Sequence, residues 1–462
     1  MDFYKLRTSE YRIAIVGLLA SGKTVFLTSL INHLKDHDPD RFTLGKSVAA
    51  GKNAVTIRKF QELQPGKGWE RFPYERYREA IISGKWPEKT KDRFQYACTF
   101  ERTDWRLTAA KVKFYDLPGE RIADAVMAVH DYAGWSDHVL SQLKNDSGYR
   151  ECSRDFLALL DVTSITEAAL LTAYKQTMAR LILAYKPNVS PSTFLLDIHG
   201  RVNKKPKTVE GMAAAFHAGI DQTSEFVPLP EKTRNANSEL AARFAMSYEA
   251  YKRQVVSPLI TSLKSCHAMI VLVDVLMLLA GGVGMYDDNR QMLVDLLKVL
   301  NPGGAFHKKM VQMLGGVLPH QWRPGGISRI AFVAPKLDQV WPQDRDHMIT
   351  LLKRMVQKPA QDYSNLRREF FNCSAVRSAE TLPMEEGQRW LRGSPIWDAP
   401  TGKKMPRGET QKLRVSELPQ DWPRDWRVGD YSFPEVYPRM PSRKDCPPDQ
   451  VNLDNIFNFI MV

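Results

Sequence analysis

Eight consecutive residues near the start of the chain, Gly17 to Thr24, have the types and spacing of a phosphate-binding loop. They read GLLASGKT and match G-x-x-x-x-G-K-[ST], in which backbone N–H groups and the positive end of the following helix surround a phosphate. Lys23 would neutralise phosphate charge, and the Thr24 hydroxyl would bind Mg²⁺. A plain glycine turn is the alternative. The predicted nucleotide contacts here are Leu19, Ala20, Ser21, Gly22, Lys23, Thr24 and Val25.

Two acidic motifs compete for the role of the carboxylate that assists Mg²⁺ binding. The first, Asp116-Leu117-Pro118-Gly119, follows the strand-like segment KVKFY and has the form D-x-x-G. There Asp116 would hold a water of the Mg²⁺ ion, and the Gly119 N–H would bond the γ-phosphate because glycine lets the backbone approach closely. The second motif, MIVLVD, ends at Asp274 like a Walker B strand of ATPases. Because apolar residues follow Asp274, we assign Mg²⁺ to Asp116 and a structural role to Asp274.

A third motif would read the base of the nucleotide. The strand-like segment ISRIAFV leads into Ala334-Pro335-Lys336-Leu337-Asp338, which is close to the N-K-x-D of GTPases with proline in place of asparagine. Asp338 could accept hydrogen bonds from the guanine N1–H and N2–H₂, donors that adenine does not present, while the Lys336 stem lies along the ring. This favours GTP over ATP. Pro335 removes a side-chain amide that normally ties this loop to the base.

The last motif, Ser374-Ala375-Val376, begins where the strand-like segment EFFNCS ends. It matches the S-A-x loop whose backbone N–H meets the guanine O6. The four motifs thus follow one another along the chain, each at the end of an apolar strand. Because α/β sheets bind ligands at the carboxyl ends of their strands, this order predicts one shared nucleotide site. An ATP-dependent P-loop enzyme or kinase remains the alternative.

The elements that must position these residues are a parallel sheet and its flanking helices. Ile13 to Val16 predicts the strand before the phosphate loop, and Val25 to Leu34 repeats apolar residues at helical spacing after it. Phe94 to Phe100 predicts a strand antiparallel to the one that ends at Asp116. Just before it, Thr90 is the candidate for the switch threonine that closes on Mg²⁺ in the triphosphate state.

With these residues in view, the chain resembles the YcjX-like family of bacterial P-loop proteins, a branch of the Ras-like GTPases. The segments that carry the resemblance are GLLASGKTVFLTSLINHL, W-P-x-K-T, DLPGER and PKLD. The resemblance implies an α/β fold with a Ras-like G domain, mostly parallel with one antiparallel strand, and a large helical insert. It also implies a cytoplasmic, Mg²⁺-dependent GDP/GTP switch associated with bacterial envelope-stress systems, which include a membrane-protein partner.

The two residues that follow the switch glycine, Glu120 and Arg121, determine the expected rate of hydrolysis. In Ras-like enzymes a glutamine at this position orients the attacking water, but this chain has Glu120 there, which carries negative charge towards the phosphate. We therefore expect slow hydrolysis unless an arginine neutralises the transition state, and Arg121 is the candidate. The predicted catalytic residues are Lys23, Thr90, Gly119, Glu120 and Arg121, and the predicted metal ligands are Thr24, Thr90 and Asp116.

The chain divides into four predicted parts. Residues 1–125 form the first part of the G domain with an insertion at about 35–91, and residues 126–265 form a helical insert whose apolar residues recur at helical spacing. Residues 266–380 complete the G domain, and residues 381–462 form an extension rich in tryptophan and proline. That extension could wrap on the body or bind a partner, and the final NLDNIFNFIMV could dock on the body or on a membrane.

Composition limits the other function classes. The 462 residues carry a net charge of +13, which favours an acidic partner such as an anionic membrane surface or nucleic acid, including RNA. The five cysteines show no C-x-x-C pattern, which argues against zinc and disulfides and fits a reducing cytoplasm, with peripheral association at the inner membrane left open. A nucleotide-binding scaffold with negligible turnover, acting at a membrane surface or on RNA, is the second function class.

Overall fold

The computed structural model describes residues 7–17, 21–45, 54–88, 93–105, 108–117, 123–145, 147–162, 166–185, 195–197, 208–300, 327–360, 366–398 and 403–461. They form two compact units. Unit 1 comprises Met1–Pro118, Ser265–Ala280 and Gly325–Val462, and unit 2 comprises Gly119–Lys264 and Gly281–Pro324.

Strands and helices are interspersed along the chain. The strands are β1 (Arg7–Gly17), β2 (Ile57–Leu63), β3 (Glu70–Arg71), β4 (Phe94–Arg102), β5 (Thr108–Asp116), β6 (Leu195–Asp197), β7 (Phe216–Ala218), β8 (Ala268–Leu272), β9 (Arg329–Ala334), β10 (Arg367–Asn372), β11 (Ala379–Thr381), β12 (Trp390–Gly393) and β13 (Gln411–Arg414). The helices are α1 (Lys23–Lys35), α2 (Tyr74–Ile82), α3 (Tyr132–Asn145), α4 (Ser147–Leu159), α5 (Glu167–Tyr185), α6 (Val209–Ala215), α7 (Glu231–Ala236), α8 (Ser238–Tyr251), α9 (Ser257–Lys264), α10 (Val275–Ala280), α11 (Gly282–Leu300), α12 (Arg345–Ala360) and α13 (Leu453–Met461).

The core of unit 1 is an eight-stranded sheet in the order β10-β9-β8-β1-β5-β4-β2, with β3 paired to β4. Neighbours from β10 to β5 are parallel, whereas β4 runs antiparallel to both β5 and β2. The central strands are buried on both faces: Ile13 to Val16 of β1 are 0% exposed. The prediction of a mixed α/β fold with a mainly parallel sheet is therefore confirmed, as is the antiparallel pairing of the Phe94 strand.

The C-terminal helix α13 belongs to the core of unit 1. Its apolar face packs in the same hydrophobic cluster as α1, β4 and β5 through Leu453, Ile456, Phe457, Ile460 and Met461. Its polar side also contacts the chain after α1: the Asn458 side chain accepts a hydrogen bond from Gly45 N (2.8 Å) and donates one to Thr43 O (2.8 Å). The sequence left open whether this segment docks on the body of the protein or on a membrane. In the structure it packs on the body.

The rest of the C-terminal extension also packs on unit 1. Strands β11, β12 and β13 form a small antiparallel sheet, and two indoles bind the backbone of unit 1 helices. Trp422 Nε1 donates to Leu351 O on α12 (2.8 Å), and Trp426 Nε1 donates to Leu279 O on α10 (2.9 Å). A buried indole N–H needs a partner, so these contacts fix the extension in place. The extension is a wrapped segment, one of the two interpretations of its sequence.

Burial of one histidine on α1 makes the stability of unit 1 depend on pH. His33 is 1% exposed, stacks on Phe42 with 5.3 Å between ring centroids, and has Nε2 3.1 Å from Pro448 O. Burial lowers the pKa of His33 from the ordinary 6.5 to about 4. As the pH falls below 6.5, His33 is protonated in the unfolded chain but not in the folded protein. The free energy of unfolding therefore falls until the pH reaches about 4, where His33 of the folded protein also binds the proton.

We expect His33→Gln, which keeps a hydrogen-bond donor but does not titrate, to remove this part of the acid sensitivity. The wild-type free energy of unfolding should fall by about 3 kcal/mol more than that of the variant on acidification. Denaturant unfolding at steps between about pH 7 and about pH 4 measures the difference. Equal losses in the two proteins would assign the acid sensitivity to other groups.

The described part of unit 2 is predominantly helical, with one short antiparallel pair, β6 and β7. Trp135 lies at the centre of its core, with ring centroids 5.3 Å from both Phe226 and Tyr248. Helix α11 belongs to this unit because its buried Asp288 accepts hydrogen bonds from Tyr149 (3.1 Å) and Gln142 (3.2 Å). The division expected from sequence placed α11 in the G domain. No helix among the described residues is long and apolar enough to cross a membrane.

Candidate nucleotide-binding site

Strand register in unit 1 brings the strand ends that precede the four sequence motifs to one edge of the sheet. The phosphate loop, the Asp116 motif, the Lys336 loop and the Ser374 loop each follow the carboxyl end of a parallel strand. The pairs that establish this alignment are Ile15 with Asp116, Gly17 with Leu272, Leu272 with Val333, and Ala334 with Asn372. This is the edge at which doubly wound α/β sheets bind their ligands.

The described part of the phosphate loop, Ser21 and Gly22, leads directly into α1. Gly22 has φ of 84°, in the left-handed region that favours glycine, and its carbonyl accepts the first hydrogen bond of α1 from Phe26 N (2.8 Å). Lys23 is 7% exposed, and its Nζ donates to Gly17 O (2.8 Å). Thr24 and Val25 follow in the first turn of α1, and Ser21 is buried. Leu19 and Ala20 lie outside the described residues.

Gly17 is required by close packing and not by its dihedral angles. A Cβ at this position would lie 2.8 Å from Leu272 O, 3.0 Å from Leu272 Cβ and 2.5 Å from Ser21 Oγ. The clash with the neighbouring strand involves backbone, so it cannot be relieved by a side-chain rotation. The first glycine of the motif therefore lets β1 and β8 approach closely.

We expect Gly17→Ala to lower the free energy of unfolding by about 1–3 kcal/mol, the cost of overpacking a well-packed site. The matched control is Gly66→Ala, whose Cβ would meet its nearest atom, Gln95 Oε1, at an ordinary 3.5 Å. Thermal and denaturant unfolding of both variants measure the effect. A Gly17 variant as stable as wild type would show that the loop has room to move away from β8.

Asp116 is buried at the end of β5. It is 0% exposed and lies between Ile15 of β1 and Phe94 of β4 in the sheet register. A carboxylate at this depth, two residues from Gly17 across the sheet, is suited to act on a cation bound at the phosphate loop. Four other predicted site residues, Thr90, Gly119, Glu120 and Arg121, lie outside the described residues.

Lys336 joins the predicted base-reading loop to the end of β8. Its backbone is left-handed (φ 68°), which turns the chain into the short 3₁₀ segment Leu337–Gln339. Its Nζ lies 2.6 Å from Asp274 Oδ2, and Asp274 Oδ1 accepts from Met277 N (3.1 Å) at the start of α10. Burial alone would lower the pKa of Lys336, but the adjacent Asp274 carboxylate outweighs burial and raises that pKa above its ordinary value. Asp274 thus connects Lys336 to the start of α10, which is a structural role.

Asp338 is 7% exposed and accepts hydrogen bonds from several protein donors. Ser374 Oγ donates to its Oδ1 (2.6 Å). Its Oδ2 accepts from Ser378 N (2.6 Å), Ser378 Oγ (2.7 Å) and Ala379 N (3.0 Å). The first partner belongs to a motif found in the sequence. Ser378 and Ala379 lie beyond that motif, and no sequence pattern marks them as partners of Asp338.

The Ser374-Ala375-Val376 loop is fixed from two sides. Ser374 N donates to Val451 O (3.0 Å), just before α13, and Val451 N returns a bond to Ser374 O (2.8 Å). Ser29 Oγ on α1 donates to Ala375 O (2.5 Å). The helix that begins at the phosphate loop therefore also holds the loop predicted to meet the guanine O6. Sequence reasoning did not find Ser29, which lies on a helix with no motif of its own.

The residues present fit a magnesium ion bound together with a nucleotide. The described residues contain no group of three or more His, Cys, Asp or Glu side chains that could hold a metal without other ligands. Magnesium bound with nucleotides needs few protein ligands, because it keeps several waters and takes oxygens from the phosphates. Thr24 at the start of α1 and the buried Asp116 carboxylate are such a sparse oxygen donor set.

Comparison with known proteins places the chain in a family. A family model described as YcjX-like family, DUF463, matches residues 11–462. The chain belongs to the YcjX-like family. The resemblance drawn from its motifs is therefore confirmed. A curated relative, the "Ras-like GTPase YcjX" of Escherichia coli (strain K12), is 24% identical over 428 residues, which cover 83% of this chain and 84% of the relative. A second, the "Ras-like GTPase YcjX" of Shewanella oneidensis, is 22% identical over 478 residues, covering 96% and 91%.

Proposed function

We propose that this YcjX-like protein binds GTP and GDP with Mg²⁺ and hydrolyses GTP slowly, as a molecular switch. One observation carries the proposal: a phosphate loop with Lys23, the buried Asp116 and the loops of Asp338 and Ser374 lie at one edge of a parallel sheet. The names of its relatives, both Ras-like GTPases, support the same activity. Because these relatives are only 22% and 24% identical to the chain, the site supports the proposal more strongly than their names do.

In this proposal each protein group has a defined task. Lys23 binds the β- and γ-phosphates, and the loop amides around Gly22 bind the β-phosphate. Thr24 and Thr90 would hold Mg²⁺ directly and Asp116 would hold it through a water, while the ion would neutralise phosphate charge during transfer. Gly119 N–H would contact the γ-phosphate in the triphosphate state only, which makes the Asp116 loop the sensor of the switch.

The hydrolysis step is proposed to be slow because of the residue after the switch glycine. Glu120 is an anionic acceptor where a neutral glutamine would orient water, so unassisted turnover should be on the order of 10⁻⁴ to 10⁻² s⁻¹. Arg121, its neighbour, is the proposed source of positive charge for the transition state. The proposed setting is the cytoplasm, in an envelope-linked stress process that brings the protein to a membrane-protein partner or to the anionic inner-membrane surface. The net charge of +13 favours such a surface.

Guanine selectivity is proposed to depend on Asp338, with Lys336 along the ring and the amides of the Ser374-Ala375-Val376 loop at O6. We expect GTP and GDP to displace a fluorescent guanine nucleotide far better than ATP and ADP do. Asp338→Asn should reduce this discrimination by about 1–3 kcal/mol, since one donor of the base is left without its acceptor.

Competition binding with wild type and Asp338→Asn tests the base assignment. Thermal unfolding of both proteins first excludes a folding defect, because Asp338 also binds Ser378. Displacement by ATP as efficient as by GTP would reject the guanine assignment and favour an ATP-dependent P-loop enzyme.

A further inference from the structure

We propose that Ser378 and Ala379, which lie just before the C-terminal extension, compete with guanine for the Asp338 carboxylate and so control access to the base site. The inference rests on the proposed function, since it requires that Asp338 bind guanine. It adds a specificity-tuning residue, Ser378, and a link between the base site and a segment beyond the nucleotide-binding motifs.

The proposal begins with the acceptor capacity of Asp338. A carboxylate has two oxygens with about two acceptor directions each. Asp338 Oδ2 already accepts three hydrogen bonds, from Ser378 N, Ser378 Oγ and Ala379 N at 2.6, 2.7 and 3.0 Å. Oδ1 accepts one, from Ser374 Oγ at 2.6 Å. Oδ1 therefore retains capacity, whereas Oδ2 has none.

Guanine offers its N1–H and N2–H to the two oxygens of one carboxylate. Because Oδ2 has about two acceptor directions and already accepts three bonds, binding of guanine through both oxygens requires that two of the three bonds from Ser378 and Ala379 be released. Hydrogen bonds to an ionised carboxylate are roughly twice as strong as those between neutral groups, so this competition has a measurable cost. An adenine nucleotide lacks the N1–H and N2–H donors and exerts no such competition.

Release at this point acts on the start of β11, which pairs with a strand of the C-terminal extension. Ala379 is the first residue of β11, where it pairs with Gly393 of β12 in the small antiparallel sheet. The same extension also holds the segment that leads to Thr90: Arg407 donates to Ser83 O (2.6 Å), and Trp86 Nε1 donates to Val436 O (2.7 Å). The extension thus contacts the chain four residues before the proposed switch threonine, and Ser378 and Ala379 contact the base-reading loop.

The first test compares Ser378→Ala with a matched control, Ser416→Ala. Ser416 lies in the same extension, and its hydroxyl accepts a bond from Ser432 N (2.9 Å), with no contact to Asp338 among the described residues. Removing the Ser378 hydroxyl removes one competing donor, so we expect the dissociation constant for GDP to fall about fivefold or more. That of the Ser416 variant should equal wild type, and affinity for ADP should not change in either.

The two possible failures are distinguishable in this experiment. GDP affinity in Ser378→Ala equal to or weaker than wild type overturns the competition but leaves guanine binding intact. No binding of GDP to any of the three proteins overturns the proposed function and the competition with it.

A second measurement, on the wild-type protein, does not depend on any variant folding. Amide hydrogen exchange at Ser378 or Ala379 should become faster when GDP is added and should not change with ADP, because the release of two of the three bonds to Oδ2 frees at least one of these two N–H groups. A residue with a purely structural role would show equal or slower exchange with GDP. Equal or slower exchange at both residues therefore overturns the proposal.

Discussion

Lys23→Ala is expected to lower the rate of GTP hydrolysis by about 10²–10³-fold, the loss seen when one preorganised group that stabilises transition-state charge is removed. The side chain is buried at the phosphate loop, and its Nζ is held 2.8 Å from Gly17 O, so it is already positioned towards the loop that would surround the phosphates. Alanine cannot supply this charge. Affinity for GTP should weaken together with the rate.

Single-turnover hydrolysis and direct GTP binding measure the two effects separately. Lys59→Ala is the matched control, because Lys59 is an exposed lysine on β2 of the same sheet. It should behave as wild type. If Lys23→Ala keeps both its rate and its affinity while remaining folded, the phosphate loop is not where the nucleotide binds.

Asp116→Asn has the second large expected effect, on the dependence on Mg²⁺. The variant keeps the shape of the side chain but removes the negative charge of a group that is 0% exposed at the end of β5. Partners that orient the ligands of a metal typically contribute 10–100-fold to metal affinity or activity, so we expect the Mg²⁺ concentration for half-maximal hydrolysis to rise by about that factor.

A titration of Mg²⁺ at saturating GTP measures this shift. Glu70→Gln makes the same chemical change at an exposed position on β3 and should leave the Mg²⁺ dependence unchanged. If the Mg²⁺ titration of Asp116→Asn equals that of wild type, another carboxylate assists binding of the metal.

The sequence predicted those parts of the fold whose information is local. The phosphate loop, the apolar strands that end in polar motifs, and the antiparallel strand at Phe94 each show their identity in a few consecutive residues. Their order along the chain then predicted the shared sheet edge. The mainly parallel sheet of unit 1 could therefore be predicted from short segments and their order alone.

The remaining features depend on contacts between residues far apart in sequence. Ser29 binds Ala375, and Trp86 binds Val436, across hundreds of residues, and no periodicity encodes such pairs. Helix α11 has an amphipathic pattern that could pack on either unit, and its contacts with unit 2 assign it there. The docking of α13 in the core likewise depends on residues far away in sequence, such as Phe42, whose ring contacts Phe457 of α13.

Asp338 shows the limit of motif reasoning within the site itself. Its position in P-K-L-D predicts an acceptor for guanine, but the pattern says nothing of the donors that surround it. The structure supplies Ser378 and Ala379, which lie outside every motif and bind one carboxylate oxygen. The residue type therefore predicted the chemistry, whereas its tertiary neighbours determine how much of that chemistry is available to a nucleotide.

The central claim is tested most directly by the release of phosphate from GTP by the purified protein under single-turnover conditions with Mg²⁺. The account predicts hydrolysis on the order of 10⁻⁴ to 10⁻² s⁻¹ with GTP, no comparable reaction with ATP, and a rate near background in Lys23→Ala. Hydrolysis of ATP at the same rate as GTP, or a GTP rate unchanged in Lys23→Ala, would contradict it.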